Sequence, residues 1–371
     1  IKLKYIKYAP ERTSMYFRPL VIFMFLFLPL LFRCSGDQKV KIAIITRLET
    51  GSVVGVSEVN AAKMFIEDRG INNIEIVPFD DGWEPAKTVK AYEAVRRRGI
   101  DIIITGHTSS CAIAISDRVN MDKVLLFETG ATTDQLSDKD DYIIRNIPDV
   151  HQEQKSIAGY IKSRHFSPLL VIRDTENLAY TEPALIYFRN YYTAGQMSVL
   201  DINISNFNIA RLEAGIRKQK FDAAYLLIGS YKTAAGAIAQ LIIKVNPSAT
   251  VIYTPWVKTP AIIETAGGSI HNSVFPSIYR ERYLSAGIDS FFRKYRERYR
   301  ETPAFTTLNV YSALQVLHAA ISSGHRDPDS IKEFILNSGT IETDFGPVTF
   351  NRYGDAVSDL YFITDIKREF R

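Results

Sequence analysis

The segment Asp101-Ile-Ile-Ile-Thr-Gly-His-Thr-Ser-Ser-Cys-Ala112 runs through a helix-like stretch into Val124-Leu-Leu-Phe-Glu-Thr-Gly-Ala-Thr-Thr-Asp-Gln-Leu136, and its reading decides the fold. Ile102 to Thr105 is short, apolar and β-branched, as a strand buried on both faces should be. Gly106 ends it. Ser109 and Ser110 open a segment from Ala112 to Asn120 with helically spaced Ile113, Ile115 and Val119. Val124 to Phe127 reads as a second buried strand, emptying into the hydroxyl-rich loop Glu128 to Thr133. Two neighbouring strands therefore end in loops of Ser, Thr and Gly. In parallel α/β sheets ligands bind at the carboxyl ends of strands, beside helix N-termini whose free N–H groups and dipole favour an anion. Ser110 and Thr132 are placed to hold a carboxylate there, although Ser is also the commonest helix cap.

The same alternation extends in both directions. Toward the amino end, Lys41 to Arg47 reads as a strand and Val53 to Arg69 as a helix stopped at Gly70. Ile74 to Phe79 is a second strand and Pro85 to Arg98 a second helix stopped at Gly99. Asp141 to Asn146 is a strand broken by Ile147-Pro148-Asp149, and Gln152 to Ser163 is helical. The alternation then restarts. Leu169–Arg173, Ser198–Asn203, Phe221–Ile228 and Thr250–Tyr253 are strands; Thr181–Thr193, Ile209–Lys218 and Thr233–Val245 are the helices between them. Ser290–Arg300, Thr307–Ser323 and Ile331–Leu336 are further helices. Gly346–Asn351 and Leu360–Asp365 are expected to form a hairpin around Arg352-Tyr353-Gly354-Asp355. A twice-repeated alternation implies an α/β chain with two doubly wound parallel sheets.

Composition narrows the function classes. The chain has 371 residues, 46% apolar and 23% charged, enough for two real cores. Its net charge of +4 sits at the front: residues 1–34 hold six of the 45 basic side chains and one of the 41 acidic ones. That leaves 39 against 40 in the remainder, so nucleic-acid binding is not indicated. Met15-Tyr-Phe-Arg18 followed by the 14-residue apolar run Pro19–Phe32 suits a signal segment and is short for a spanning helix. Residues 1–14 read as sequence upstream of a start at Met15. The two cysteines, Cys34 and Cys111, form no zinc or haem spacing, and Cys111 lies on an apolar helix as a small hydrophobe. No Gly-x-Gly-x-x-Gly, Gly-Lys-Ser/Thr or Gly-x-Ser-x-Gly appears. His107 and Ser110 share one turn without a third, orienting group. Neither catalysis nor a bound metal or cofactor is expected.

With these elements placed, the chain resembles the type I periplasmic binding proteins of the leucine/isoleucine/valine-binding kind over nearly all of residues 38–371. The likeness is carried by Asp80-Asp81 with Glu84-Pro-Ala-Lys-Thr-Val89, by Gly106-His-Thr-Ser-Ser110, and by Gly130-Ala-Thr132 with Leu136. Arg145-Asn146, Asp149 and Gln152 continue it, then Gly267-Gly268, Phe291 to Tyr299 with Pro303, Tyr311 to Ala320, and Phe345-Gly-Pro-Val-Thr-Phe350 with Gly354-Asp355. Their order and spacing together are specific. The resemblance implies a clamshell of two Rossmann-like lobes joined by three hinges, near Ile147–Asp149, Ser273–Arg280 and Ile341–Asp344. Lobe one would be 38–148 with 279–342, and lobe two 149–278 with 343–371. It implies a solute receptor of an ABC importer, a monomer that binds an amino acid, amide or related carboxylate and delivers it to permease subunits. A free-standing sensor of the same fold is the alternative; an enzyme using the cleft finds no triad or metal cluster to support it.

The resemblance also assigns residues. Ser110, helped by Ser109, would bind the ligand carboxylate. The loop positions Gly130, Ala131 and Thr132 would share the carboxylate and ammonium, and Tyr180 and Tyr231 would reach across from lobe two. Members that bind amino acids carry an acidic residue after Gly-Pro to pair with the ammonium; here the run is Thr254-Pro255-Trp256. Trp256 offers a ring face in place of a charge. Leu31-Phe-Arg-Cys-Ser-Gly36 resembles a lipoprotein cleavage box, with Arg33 where that pattern has a small residue. Cys34 would carry the lipid and hold the exported protein at the periplasmic face of the cell membrane.

Overall fold

The computed structural model describes residues 39–49, 53–106, 108–193 and 195–369. The leader with Cys34, and His107, lie outside the described residues. The elements run β1 (Val40–Thr46), α1 (Val53–Asp68), β2 (Ile74–Asp80), α2 (Pro85–Arg97), β3 (Ile102–Thr105), α3 (Ser109–Met121), β4 (Leu125–Glu128) and β5 (Ile143–Arg145). Next come α4 (Val150–Ser163), β6 (Leu169–Asp174), α5 (Leu178–Tyr191), β7 (Met197–Ile202), α6 (Ile209–Arg217), β8 (Ala223–Leu227), α7 (Ala234–Val245), β9 (Thr250–Ile252), α8 (Pro260–Ala266) and β10 (Ser273–Ser277). The chain closes with α9 (Ala286–Tyr299), α10 (Thr307–Ser322), α11 (Pro328–Ser338), β11 (Thr340–Thr343), β12 (Gly346–Thr349), β13 (Tyr361–Ile363) and α12 (Ile366–Glu369).

Five parallel strands in the order β2-β1-β3-β4-β5 make the first sheet. Six in the order β13-β10-β9-β8-β6-β7 make the second, with β13 antiparallel at its edge. Both sheets are buried on both faces, and the period-two alternation of strands divides their side chains cleanly. Ile42, Ile44, Ile102 and Ile104 pack against α1, α9 and α10, while Ala43, Ile45 and Ile103 pack against α2 and α3. In the second sheet Leu170, Ile172 and Leu226 face one core and Leu169, Val171 and Leu227 the other. Two sheets with helices on both faces give the two-lobed α/β architecture that the alternation implied.

The packing also shows where the chain changes lobe. Ile144 belongs to a first-sheet core and Ile147 to a second-sheet core; Ile278 packs on the second and Tyr279 on the first; Phe350 lies in the first and Leu360 in the second. The third change thus falls after Phe350, not at Ile341–Asp344, and the residues from 343 to 350 stay with the first lobe. The reason is a hairpin the sequence reading missed. Gly346–Thr349 pairs with Thr340–Thr343, and the pair lays Ile341 and Phe345 into the first core. Its expected partner strand, Tyr361–Ile363, joins the edge of the second sheet against Ser277–Phe275 instead. Residues 273–277, expected as hinge, are the buried strand β10; Pro276 disguises it, because proline belongs in few central strands.

One ion pair clasps the first and third changeovers. Arg145, wholly buried, gives its Nε to Asp355 Oδ1 at 2.7 Å, its guanidinium to the Thr133 carbonyl at 2.9 Å and to Ser137 Oγ at 2.7 Å. The backbone agrees: the Arg145 N–H donates to the Gly354 carbonyl and Ala356 N–H to that of Arg145.

Candidate functional site

The carboxyl ends of β3 and β4 meet the second lobe across a narrow cleft. From the first lobe it is lined by Thr108, Ser109, Gly130 and Thr132, and from the second by Asn177, Tyr180, Gly229, Tyr231 and Trp256. It encloses about 20 Å³, room for roughly one water. Past Tyr231 the space widens to about 600 Å³ between Arg47, Trp83 and Glu301 of one lobe and Thr259 and Glu264 of the other.

Each wall has a local cause. Thr108 is the N-cap of α3, yet its side chain does not cap; its Oγ1 lies 3.1 Å from Ser110 Oγ. The first turn of α3 therefore points its positive end at the cleft without a capping oxygen. Beside it, buried Glu128 pins the loop after β4. It accepts from Thr105 Oγ1 at 2.5 Å and from the Ala131 N–H at 3.2 Å. The Thr132 carbonyl accepts from the Val150 N–H at 2.7 Å, which ties this loop to the start of α4. In the second lobe, Gly229 allows Tyr180 to lie against the end of β8, since a Cβ there would come 2.5 Å from Tyr180 Cδ1.

Behind Tyr180 and Trp256 stands Glu153, on the first turn of α4. Its Oε1 accepts from Tyr180 Oη at 2.5 Å and from Gln154 Nε2 at 2.8 Å, and its Oε2 from Trp256 Nε1 at 3.1 Å. Gln154 Oε1 accepts in turn from Tyr225 Oη at 3.0 Å. Burial pushes the Glu153 carboxyl up to about 7 against the pull of these three donors. Burial and the adjacent Glu153 carboxylate push the Tyr180 phenol well above its ordinary range.

Of the eight residues singled out from the sequence, Ser109, Gly130, Thr132, Tyr180, Tyr231 and Trp256 line one cleft. Ser110 stands beside it, its hydroxyl against that of Thr108, and Ala131 is buried beneath, its N–H given to Glu128. Thr108, Asn177, Gly229 and Glu153 were not foreseen. Cys111 is free and buried. Among the described residues no cluster of His, Cys, Asp or Glu could hold a metal ion, and no helix is long and apolar enough to cross a membrane.

The lobes touch on both sides of the cleft. The Trp83 and Tyr231 rings lie 5.1 Å apart at 39°, and Tyr187 Oη donates to Asp134 Oδ2 at 2.8 Å. Burial, with Glu58 of the first lobe nearby, pushes the Tyr231 phenol up.

Comparisons with known proteins agree with this architecture. A family model described as periplasmic binding protein matches residues 39–369. A Leu/Ile/Val-binding protein of Rhizobium johnstonii, BraC3, is 23% identical over 325 residues, 85% of each chain. The leucine-binding protein LivK of Thermotoga maritima superposes with a TM-score of 0.78 at 20% identity, over 88% of this chain and 96% of that one. An ABC-transporter solute-binding protein of Rhodopseudomonas palustris, in complex with 3,4-dihydroxybenzoic acid, gives 0.76 at 19% identity, over 88% and 92%. With two doubly wound lobes facing one cleft and a family match over almost the whole described chain, the protein belongs to the type I periplasmic binding proteins of the Leu/Ile/Val-binding family.

Proposed function

We propose that the chain is an extracytoplasmic receptor that takes a small carboxylate with an apolar or aromatic body between its lobes and hands it to the permease of an ABC importer. One observation carries the ligand class. All nine residues lining the narrow end of the cleft are uncharged, with hydroxyls and a helix N-terminus on the first lobe and three aromatic rings on the second; Arg47, Glu264 and Glu301 line only the wider space past Tyr231. An anion fits the first half and a flat apolar group the second. The buried carboxylates Glu58, Glu128 and Glu153 stand around the cleft without lining it. An amino-acid ammonium would enter without a carboxylate in the lining, at a cost of several kcal/mol. Proteins of both kinds, the Leu/Ile/Val-binding protein and the solute-binding protein in complex with 3,4-dihydroxybenzoic acid, are similar to this chain, the second in fold. The wall at Trp256 favours the second.

Ligand that touches both lobes stabilises their closed arrangement, and the permease recognises that arrangement. Thermal shift against benzoate, 3,4-dihydroxybenzoate, leucine, isoleucine and short amides tests the reading. A ligand at a thousandfold excess over its Kd adds about 4 kcal/mol of stability. Shifts with the benzoates and weaker ones with the amino acids are expected. A shift with leucine alone moves the ligand class, and a panel with no shift sinks the receptor reading. We assign membrane attachment to lipid on Cys34; Cys34→Ala should release the protein from the membrane fraction, and its retention there would refute the anchor.

A further inference from the structure

The second-lobe wall of the cleft is held by one side chain that stands outside its lining. Glu153 is 1% exposed, and both oxygens are engaged by cleft residues: the Tyr180 hydroxyl on one, the Trp256 indole N–H on the other. Those donors come from 27 and 103 residues away in the chain. The same first turn of α4 also reaches the first lobe, where the Val150 N–H holds the Thr132 carbonyl and Asp149 accepts from Ser137 Oγ at 2.9 Å. One helix start thus fixes the loop at the anion end and the rings at the other.

We propose that Glu153 is the positioning residue that sets the specificity of the cleft: by drawing the Tyr180 hydroxyl and the Trp256 N–H backward, it presents the ligand with two ring faces and no free donor. A ligand body needing a donor from Tyr180 or Trp256 finds none, whereas a flat apolar body loses nothing against their faces. This rests on the carboxylate-receptor reading above. The carboxylate matters because glutamine presents a donor where two donors already converge, so Glu153→Gln either releases the Trp256 N–H toward the ligand or turns the Tyr180 hydroxyl from donor to acceptor.

The test uses the purified full chain with benzoate and leucine as probes. Titrations compare the ratio of their Kd values in the unsubstituted protein, in Glu153→Gln and in Glu153→Asp. The chain has two tryptophans, so a Trp83→Phe background leaves Trp256 as the reporter of the wall. We expect Glu153→Gln to narrow the preference for benzoate on the order of tenfold, with a displaced Trp256 emission even without ligand. Glu153→Asp, which keeps the charge one methylene further back, should give an intermediate ratio and carries the comparison if the glutamine variant does not fold. An unchanged ratio or an unmoved emission in a folded variant overturns the proposal. Loss of leucine binding alone also overturns it, by making Glu153 a counter-charge for an ammonium. If the unsubstituted protein binds neither probe, the receptor reading itself falls and this proposal with it; unchanged selectivity in a protein that does bind leaves that reading standing.

Discussion

Glu153 and Ser109 show two opposite ways in which single residues build this cleft. Ser109 sits at the first position of α3 and was legible, because Ser and Thr after a buried strand mark a helix start and an anion site together. Ser109→Ala and Thr132→Ala should each weaken benzoate binding by about 1–3 kcal/mol, as loss of a donor to a charged group does. Calorimetric titration checks this, and Ser110→Ala should cost less, since Ser110 stands outside the lining with its hydroxyl against that of Thr108. Glu153 was illegible for a physical reason. An acid four residues past an Asp cap reads as a solvated first-turn carboxylate on the helix dipole, and nothing local announces donors arriving from α5 and from Trp256. Its burial has a measurable pH signature. The group stands at about 7 in the fold against an ordinary 4.5, raised by desolvation and, less, by Asp149, and lowered by the donors from Tyr180, Trp256 and Gln154. The folded state therefore holds this proton more tightly than the unfolded one. The resulting stability is full below about pH 4.5 and is lost as pH rises through about 7. Denaturant midpoints across that window should fall in the unsubstituted protein relative to Glu153→Gln, whose curve lacks this component; parallel curves would contradict it.

Among the elements, the strands with simple patterns were the ones the sequence betrayed. β1, β3, β4 and β8 are continuous apolar runs, the mark of strands buried on both faces. The hairpin β11–β12 was read wrongly because Thr-Ile-Glu-Thr carries one apolar residue in four, and pairing is decided by the tight Asp344-Phe345 link and by Ile341 in the core, neither of which a short pattern shows. The clasp at the end of β5 carries the sharpest test at this scale. Arg145 is fully buried and Asp355 nearly so, with the pair 2.6 Å apart. Arg145→Met leaves Asp355 charged, buried and without its guanidinium, which should cost about 3–5 kcal/mol in chemical denaturation. The double variant Arg145→Met, Asp355→Leu should recover much of that loss; equal losses for the single and double variants would assign the effect to packing alone.

For the molecule as a whole, the two-lobed plan was readable from the restart of β–α alternation, and the family resemblance added the direction of the cleft. The contacts that bring the lobes together were not, because Trp83 and Tyr231 are 148 positions apart and neither belongs to a local pattern. Trp83 holds a left-handed backbone at φ 56°, its N–H given to Asp81 Oδ1 at 3.0 Å, and so presents its ring to the opposite lobe. Trp83→Ala removes one of the contacts flanking the cleft. Small-angle scattering of the ligand-free variant should show a larger radius of gyration than the unsubstituted protein, and addition of ligand should narrow the difference. Equal radii would mean that the ring pair does not hold the lobes.

A space of about 20 Å³ is far smaller than the few hundred Å³ a small organic ligand commonly occupies. Anything seated between the walls of this narrow end must therefore prop them apart, and the gap that remains becomes a gauge of the guest. On the receptor reading proposed above, the molecule would work as a caliper: a docking partner that grips both jaws would read a length, and need never touch what is being measured. Cargo could then be graded by width before it is released. Shaving the Trp256 or Tyr180 ring would recalibrate the instrument, making a larger guest report the spacing of a smaller one.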